Sequence, residues 1–329
     1  MGLVDEFAAA FGVWDIARPY LHLMVDEAEM TLVVRMAGRA VTVEEAADLL
    51  GLPPAATETL LQRAYARHIL NKKVEDGTTR FTPADFPTRL DHFAKFENWD
   101  DIPEAGRRAL DRRFLDEFIA RHRPNVERKT QGLAAENALP NDTVLLLHEV
   151  EAMLDAASDI IVQPCDCRRL GGNCDRPVET CIWLDAGARE ALDRGYGRRL
   201  TREEAKALVR RLDRQGLMHT GDSEWPSRGL HAICNCCACD CYPFRAAREL
   251  GSKGVWPKSR AVATHDPARC SRCGLCAQRC HFGAFSATLL PDEDRPVIRF
   301  DAELCWGCGL CANSCPEQAI VMQPVGSGA

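Results

Sequence analysis

The sequence predicts an α+β protein built from consecutive modules, ending in a small, internally duplicated, cysteine-rich one. Three observations carry that reading. All 17 cysteines lie at or beyond Cys165. Eight of them form two sets of identical spacing, 35 residues apart. The segment before about residue 90 has no cysteine and alternates helical periodicity with a hairpin signal.

The 329 residues are enough for two or three domains. The chain is 46% hydrophobic and 27% charged, an ordinary globular composition, and its net charge of −7 argues against binding nucleic acid. No apolar run approaches the ~18 residues of a membrane span, and stretches such as Val144–Leu147 are far shorter. The start, Met1-Gly2-Leu3-Val4-Asp5-Glu6, lacks the basic segment of a secretory signal. Glu6 also breaks the myristoylation pattern. The expectation is a cytoplasmic protein. An odd number of cysteines with no export signal argues against a disulfide framework and for metal.

The first module, 1–90, opens its pattern at Val43–Leu50, a helix with Thr42 as N-cap. Gly51-Leu52 turns the chain, and Pro53-Pro54 start a second helix to about Leu70, with Leu60, Leu61, Ala64 and Ile69 in helical spacing. Lys73 to Phe81 reads as two strands around an Asp76-Gly77 turn. Helix, turn, helix and hairpin is the order of a winged helix. Arg63, Arg67, Lys72, Lys73 and Arg80 bias it basic, but Glu58, Glu75 and Asp76 dilute the footprint that DNA reading needs.

A helical region, 91–163, follows. Asp101-Ile102-Pro103 start a helix carrying Leu110, Phe114, Leu115, Phe118 and Ile119, and Pro124 is expected to stop it. The basic run 121–129 then reads as a solvated helix end and loop. Another helix is expected over 142–157, and Ile160-Ile161-Val162 reads as a buried strand leading into Cys165.

In the C-terminal module, 259–323, Cys270-x-x-Cys273-x-x-Cys276-x-x-x-Cys280 is followed by Cys305-x-x-Cys308-x-x-Cys311-x-x-x-Cys315-Pro316. Asp266 and Asp301, Gly274 and Gly309, and Ala284 and Ala319 repeat with the cysteines. Ala287–Leu290 and Val297–Phe300 read as a hairpin between the sets. Two-residue gaps let one tight loop wrap three corners of an iron–sulfur cubane, and glycine lets backbone N–H groups approach sulfur. Over about 260–323 this resembles the bacterial two-cluster ferredoxins. The resemblance implies two 4Fe–4S clusters acting as low-potential one-electron carriers, each taking its fourth thiolate from the other repeat. Cys270, Cys273, Cys276 and Cys315 would hold one, and Cys305, Cys308, Cys311 and Cys280 the other. His281 departs from the family, standing where the first repeat usually has proline. Two places are open to it, a hydrogen bond near its cluster or the solvated surface, and the surface is the leading reading.

The region 164–258 holds the other nine: Cys165, Cys167, Cys174, Cys181, Cys234, Cys236, Cys237, Cys239 and Cys241. Thr201 to Glu204 is a capping box opening a helix to about Gln215. Met218–Thr220 and Leu230–Ile233 read as a hairpin that delivers the second bunch to the first. Soft thiolates select iron–sulfur, zinc or copper(I). A third iron–sulfur cluster on a subset of these cysteines is the leading reading. Zinc is the next, redox-active dithiols the third, and nine ligands also suffice for two sites. His219 and His231 flank the hairpin and read as structural, and Arg168 would offset thiolate charge. The stretch resembles a cysteine-rich segment of ferredoxin-domain proteins of anaerobic metabolism. The resemblance is carried by Pro164-Cys165-x-Cys167-Arg168, Cys174-x-x-Pro177, Cys181, Gly216-Leu217-x-His219 and Cys234-Asn235-Cys236-Cys237-x-Cys239.

The function expected is electron transfer to or from a redox partner protein or enzyme subunit. Two alternatives stand beside it: an oxidoreductase whose catalytic site is the cysteine-rich region, and a redox-sensing winged-helix regulator. No dinucleotide fingerprint follows a strand, so bound NAD or flavin is not expected. Residues 324–329 read as a disordered tail.

Overall fold

The computed structural model of the chain describes residues 2–291 and 293–325. Most of the expected tail, 326–329, lies outside the described residues. The chain divides into two compact units. One comprises 1–114 with 169–171 and 193–195, and the other the remainder.

The first unit begins with helices α1 (Leu3–Phe11), α2 (Leu21–Met24) and α3 (Glu27–Met36). Next come α4 (Val43–Leu50), α5 (Pro54–Ala66), the hairpin β1 (Leu70–Glu75) and β2 (Thr78–Pro83), and α6 (Phe86–Phe96). Thr42 caps α4 in a full capping box with Glu45, and Gly51 ends it in the left-handed conformation. Asp76 and Gly77 both take positive φ, as a two-residue hairpin turn requires. Phe7, Phe11, Leu32, Phe81, Phe86 and Phe93 are buried in its core.

Helix α7 runs Glu104–Thr130, straight through Pro124. The expected stop at Pro124 is therefore wrong. A proline inside a helix forfeits one hydrogen bond. Beyond it, Val126 and Asn125 are buried, and the Asn125 side chain accepts the Glu136 amide at 2.8 Å. That packing holds the basic run in helix.

The second unit is built on a six-stranded antiparallel sheet. Its strands are β3 (Thr143–Leu145), β4 (Ile160–Pro164), β5 (Glu179–Leu184), β6 (Arg198–Arg199), β7 (Met218–Gly221) and β8 (Ala232–Cys236). Their order across the sheet is β3-β7-β8-β5-β4-β6. Among them lie α8 (Leu147–Ala156), α9 (Asp166–Gly171), α10 (Asp185–Asp193), α11 (Arg202–Arg214) and α12 (Trp225–Arg228), and α13 (Tyr242–Leu250) follows β8. The helix expected over 142–157 begins only at Leu147, because 143–145 pair with β7 at the sheet edge. Thr143, Val144 and Leu145 fit either state, and the tertiary partner decides.

The duplicated segment contributes β9 (Ala261–His265), α14 (Leu275–Arg279), β10 (Phe285–Thr288), β11 (Val297–Phe300), α15 (Leu310–Asn313) and β12 (Ile320–Pro324). Strand β9 pairs with β12, and β10 with β11. The hairpin's first strand thus starts two residues earlier than expected. The apolar centre here is small: Ala263, Phe285 and Ile320, with cysteines around them. Among the described residues, no helix is long and apolar enough to cross a membrane.

Candidate metal centres

Two cavities sit in the duplicated segment. One is lined by Cys270, Cys273, Cys276 and Cys315. The other is lined by Cys280, Cys305, Cys308 and Cys311. Each thus gathers three thiols from one loop and one from its twin. Gly274 and Gly309 hold positive φ ahead of α14 and α15, which turns the loops inward. Backbone N–H groups of Arg272, Gly307 and Ala319 donate to the sulfurs of Cys270, Cys305 and Cys315 at 3.4, 3.4 and 3.2 Å. Four convergent thiols around an apolar hollow, with amides aimed at sulfur, fit an iron–sulfur cubane.

The two cavities differ in burial. Burial pushes the Cys276 thiol up to about 11 and Cys308 up to about 12. The side chains of Cys308 and Trp306 belong to an apolar cluster with Cys236, Cys241 and Phe244. Cys273, in the first cavity, is exposed.

The module is tied down on this side by Arg279. Its guanidinium donates to the carbonyls of Asp213, Arg214 and Leu310, the last two at 2.7 and 3.2 Å. Asn313 donates to the Asp213 carboxylate at 2.8 Å. The His281 ring nitrogen Nε2 lies 2.6 Å from the Gly216 carbonyl, so this histidine is not on the solvated surface. With only a carbonyl to meet there, Nε2 carries the proton and donates. Burial lowers its pKa, which keeps the ring neutral.

The remaining nine cysteines fall into two groups. Six thiols close a ring of contacts in the order Cys165, Cys167, Cys241, Cys236, Cys234, Cys181 and back to Cys165. The Cys241–Cys236 edge is 3.2 Å. The sheet explains who joins. Ile182 pairs with Ile233, so Cys181 on β5 faces Cys234 on β8. Side chains alternate along a strand, so Cys234 and Cys236 share a face. Cys165 and Cys167 arrive at the end of β4 and the start of α9, and Cys241 precedes α13. Hydrogen bonds from Cys167 and Cys181 hold Cys165 well below the usual thiol range, and those from Cys234 and Cys241 do the same for Cys236.

Cys237 lies just past the strand and packs with Cys174 in the apolar cluster of Ile233 and Leu217, apart from the cluster of Cys236 and Cys241. Cys174, Cys237, Cys239 and Asp240 form the second group, with their ligand atoms all within 4.8 Å of one another. Asp240 was not among the residues expected from sequence. An acid inside Cys239-Asp240-Cys241 was the available signal.

Arg168 is buried beside both groups and donates to the Asn235 carbonyl at 2.9 Å and to Thr180. Burial opposes its charge, but the sulfurs of Cys165, Cys237 and Cys181 outweigh it and raise its pKa. His219 is buried, with Nδ1 2.8 Å from the Asn235 side-chain oxygen, and His231 packs on Trp183. Neither joins a thiol group.

No curated protein and no solved structure matches the chain. A family model does match one part of it: residues 269–320 are a 4Fe-4S dicluster domain, which implies two 4Fe–4S clusters and iron–sulfur electron transfer.

Proposed function

We propose that this chain is an electron-transfer protein in which the dicluster domain exchanges electrons with a third iron–sulfur centre on the six-thiol ring. Cys270, Cys273, Cys276 and Cys315 would hold the outer cubane, and Cys280, Cys305, Cys308 and Cys311 the inner one. Each such group supplies one-electron transfer when bound. The observation that carries the reading is an aromatic block between the inner cysteines and the ring. Trp306, between Cys305 and Cys308, stacks on Phe282 at 4.7 Å and meets Phe244 edge-on at 5.1 Å. Phe244 stands three residues after Cys241 and packs with Cys236, Cys241 and Cys308. These side chains exclude water and fix two thiol sets against one apolar core. The Trp306 carbonyl accepts from Ser259, which holds the loop in place.

In the first unit, helix α4, helix α5 and the β1–β2 hairpin support a winged-helix-like reading, but not DNA recognition. Arg63 pairs with Asp26, Arg67 with Glu29, Lys72 with Asp193, Lys73 with Glu75 and Arg80 with Glu45, at 2.7, 2.7, 2.6, 2.5 and 3.1 Å. Cations already matched to carboxylates leave little free charge for phosphates. A redox partner protein remains the expected partner.

The test is an anaerobic stepwise reduction followed by electron paramagnetic resonance. Three separable one-electron signals are expected, with the third absent from a Cys165→Ser, Cys236→Ser double variant. Two signals only, unchanged by that substitution, would refute the third centre.

A further inference from the structure

The thiols left out of the ring have a geometry of their own. The sulfurs of Cys174 and Cys237 are 3.8 Å apart, and the Asp240 Oδ2 lies 3.1 Å from the first and 3.6 Å from the second. The Cys239 sulfur falls within 4.8 Å of all three atoms. A tetrahedral zinc with bonds of about 2.3 Å to sulfur and about 2.1 Å to oxygen sets sulfurs about 3.8 Å apart and the oxygen about 3.6 Å from each. The spacing is therefore that of ligands sharing one ion.

Asp240 supplies a second, independent argument. Its side chain is fully buried, at 0% exposure. Oδ1 accepts both the backbone N–H and the side-chain amide of Asn173, at 2.9 and 2.8 Å. Those two donors fix the carboxylate and aim Oδ2 at sulfur. With both thiols protonated, Cys174 and Cys237 donate to Oδ2; once they ionise, the buried anions are costly unless a cation sits among them. Arg168 hydrogen-bonds Cys237 of this group, and its other hydrogen bonds go to Asn235 and Thr180. Oriented carboxylates with a fixed second oxygen are a recurrent support of metal sites.

We propose that Cys174, Cys237, Cys239 and Asp240 bind one tetrahedral zinc ion, separate from the iron centres. Three sulfurs and one oxygen in a closed tetrahedral set suit zinc, which is redox-silent. The ion carries +2 against four anionic ligands, and Arg168 offsets part of the remaining charge. Cys239 is exposed and marks the side from which the ion enters. The site staples the turn after α9, where Gly172 and Asn173 lead into Cys174, to the segment that carries Cys236 and Cys241 of the ring. Its role is to hold the ring's two chain segments in register. The site needs none of the iron centres to be occupied.

The test uses the full chain, expressed with zinc in the medium and purified without oxygen. Zinc should be found at about one per chain, with three sulfurs and one oxygen in its X-ray absorption shell. The Cys174→Ser and Asp240→Ala variants should each lose zinc by tenfold or more while iron content stays unchanged. Wild-type protein without zinc, or with an all-sulfur shell, would overturn the proposal. So would loss of iron in place of zinc from the Cys174→Ser protein. If either variant is insoluble, the wild-type shell decides alone. Iron content reports separately on the third centre, so failure of that reading and failure of this one are told apart.

Discussion

The two halves of the dicluster domain share a spacing but not an environment. Leu275 in the first loop is 38% exposed, whereas its counterpart Leu310 is 1% exposed. Ser271 in the first loop corresponds to the buried Trp306 in the second. Arg272 and Gly307 occupy the same left-handed position, with φ of 57° and 69°. At Gly307 a Cβ would collide with the Ala261 backbone, while Arg272 points to Glu293 at 2.6 Å. The cysteines dictate two equivalent cages. The residues between them decide that one cage meets solvent and the other is built into the core beside the six-thiol ring. Duplication supplies the spacing of the thiols, and divergence at the positions between them supplies the difference in burial.

The strongest way to break this comparison is to make the inner loop resemble the outer. Trp306→Ala should destabilise the second unit by about 3–5 kcal/mol, since it empties a buried aromatic site. Ser271→Ala should be nearly neutral. Denaturant midpoints of the two variants check this, and equal shifts would contradict it. Next, Gly307→Ala should cost about 3 kcal/mol or more, adding a backbone collision to left-handed strain. Arg272→Ala should lose at most about 1 kcal/mol, the worth of a half-exposed ion pair. Iron retention during heating ranks them.

A smaller effect concerns chemical access. Cys273 is exposed, whereas Cys308 is half-buried against the apolar cluster of Trp306 and Phe244, so a chelator should remove iron in two phases, outer cage first. A single phase, or loss of the inner signal first, would count against the assignment. The smallest effect is at the asymmetric residue His281. His281→Ala should cost about 1 kcal/mol by removing one hydrogen bond. Burial holds its folded pKa below the unfolded value, so its contribution is present above about pH 6.5 and fades as pH falls below that. The variant should lack that slope, and a parallel pH profile would show that His281 does not contribute it.

The first unit should respond to pH with the same sign. Burial, reinforced chiefly by Arg194 at His68 and by Arg89 at His92, pushes each down to about 2. The unfolded chain protonates both near pH 6.5 and the folded chain does not. Stability of this unit should therefore fall on acidification below pH 6.5, by up to about 1.4 kcal/mol per pH unit per histidine. Urea midpoints at pH 7.5 and 5.5 measure it, and equal values would rule it out.

Much of this was legible in the residue order because spacing is local. The duplicated cysteine loops, the N-cap at Thr42, the capping box at Thr201 and the Asp76-Gly77 turn are each written within a few residues. The division of nine cysteines into six and three was not, because it depends on which face of β8 each side chain takes. It also depends on the register that sets Cys181 against Cys234. Asp240 escaped notice because an acid becomes a candidate ligand only when burial and the Asn173 donors are known. Pro124 misled because tertiary packing outweighed a local rule, and 143–145 misled because pairing with β7 lies some 75 residues away in the chain.

Iron stoichiometry of oxygen-protected protein tests the central claim most directly. The account expects more than the roughly eight irons of two cubanes per chain, with the excess vanishing when Cys165 and Cys236 are both replaced by serine. A wild-type chain holding about eight irons, matched by the double variant, would leave the dicluster domain standing and contradict the third centre.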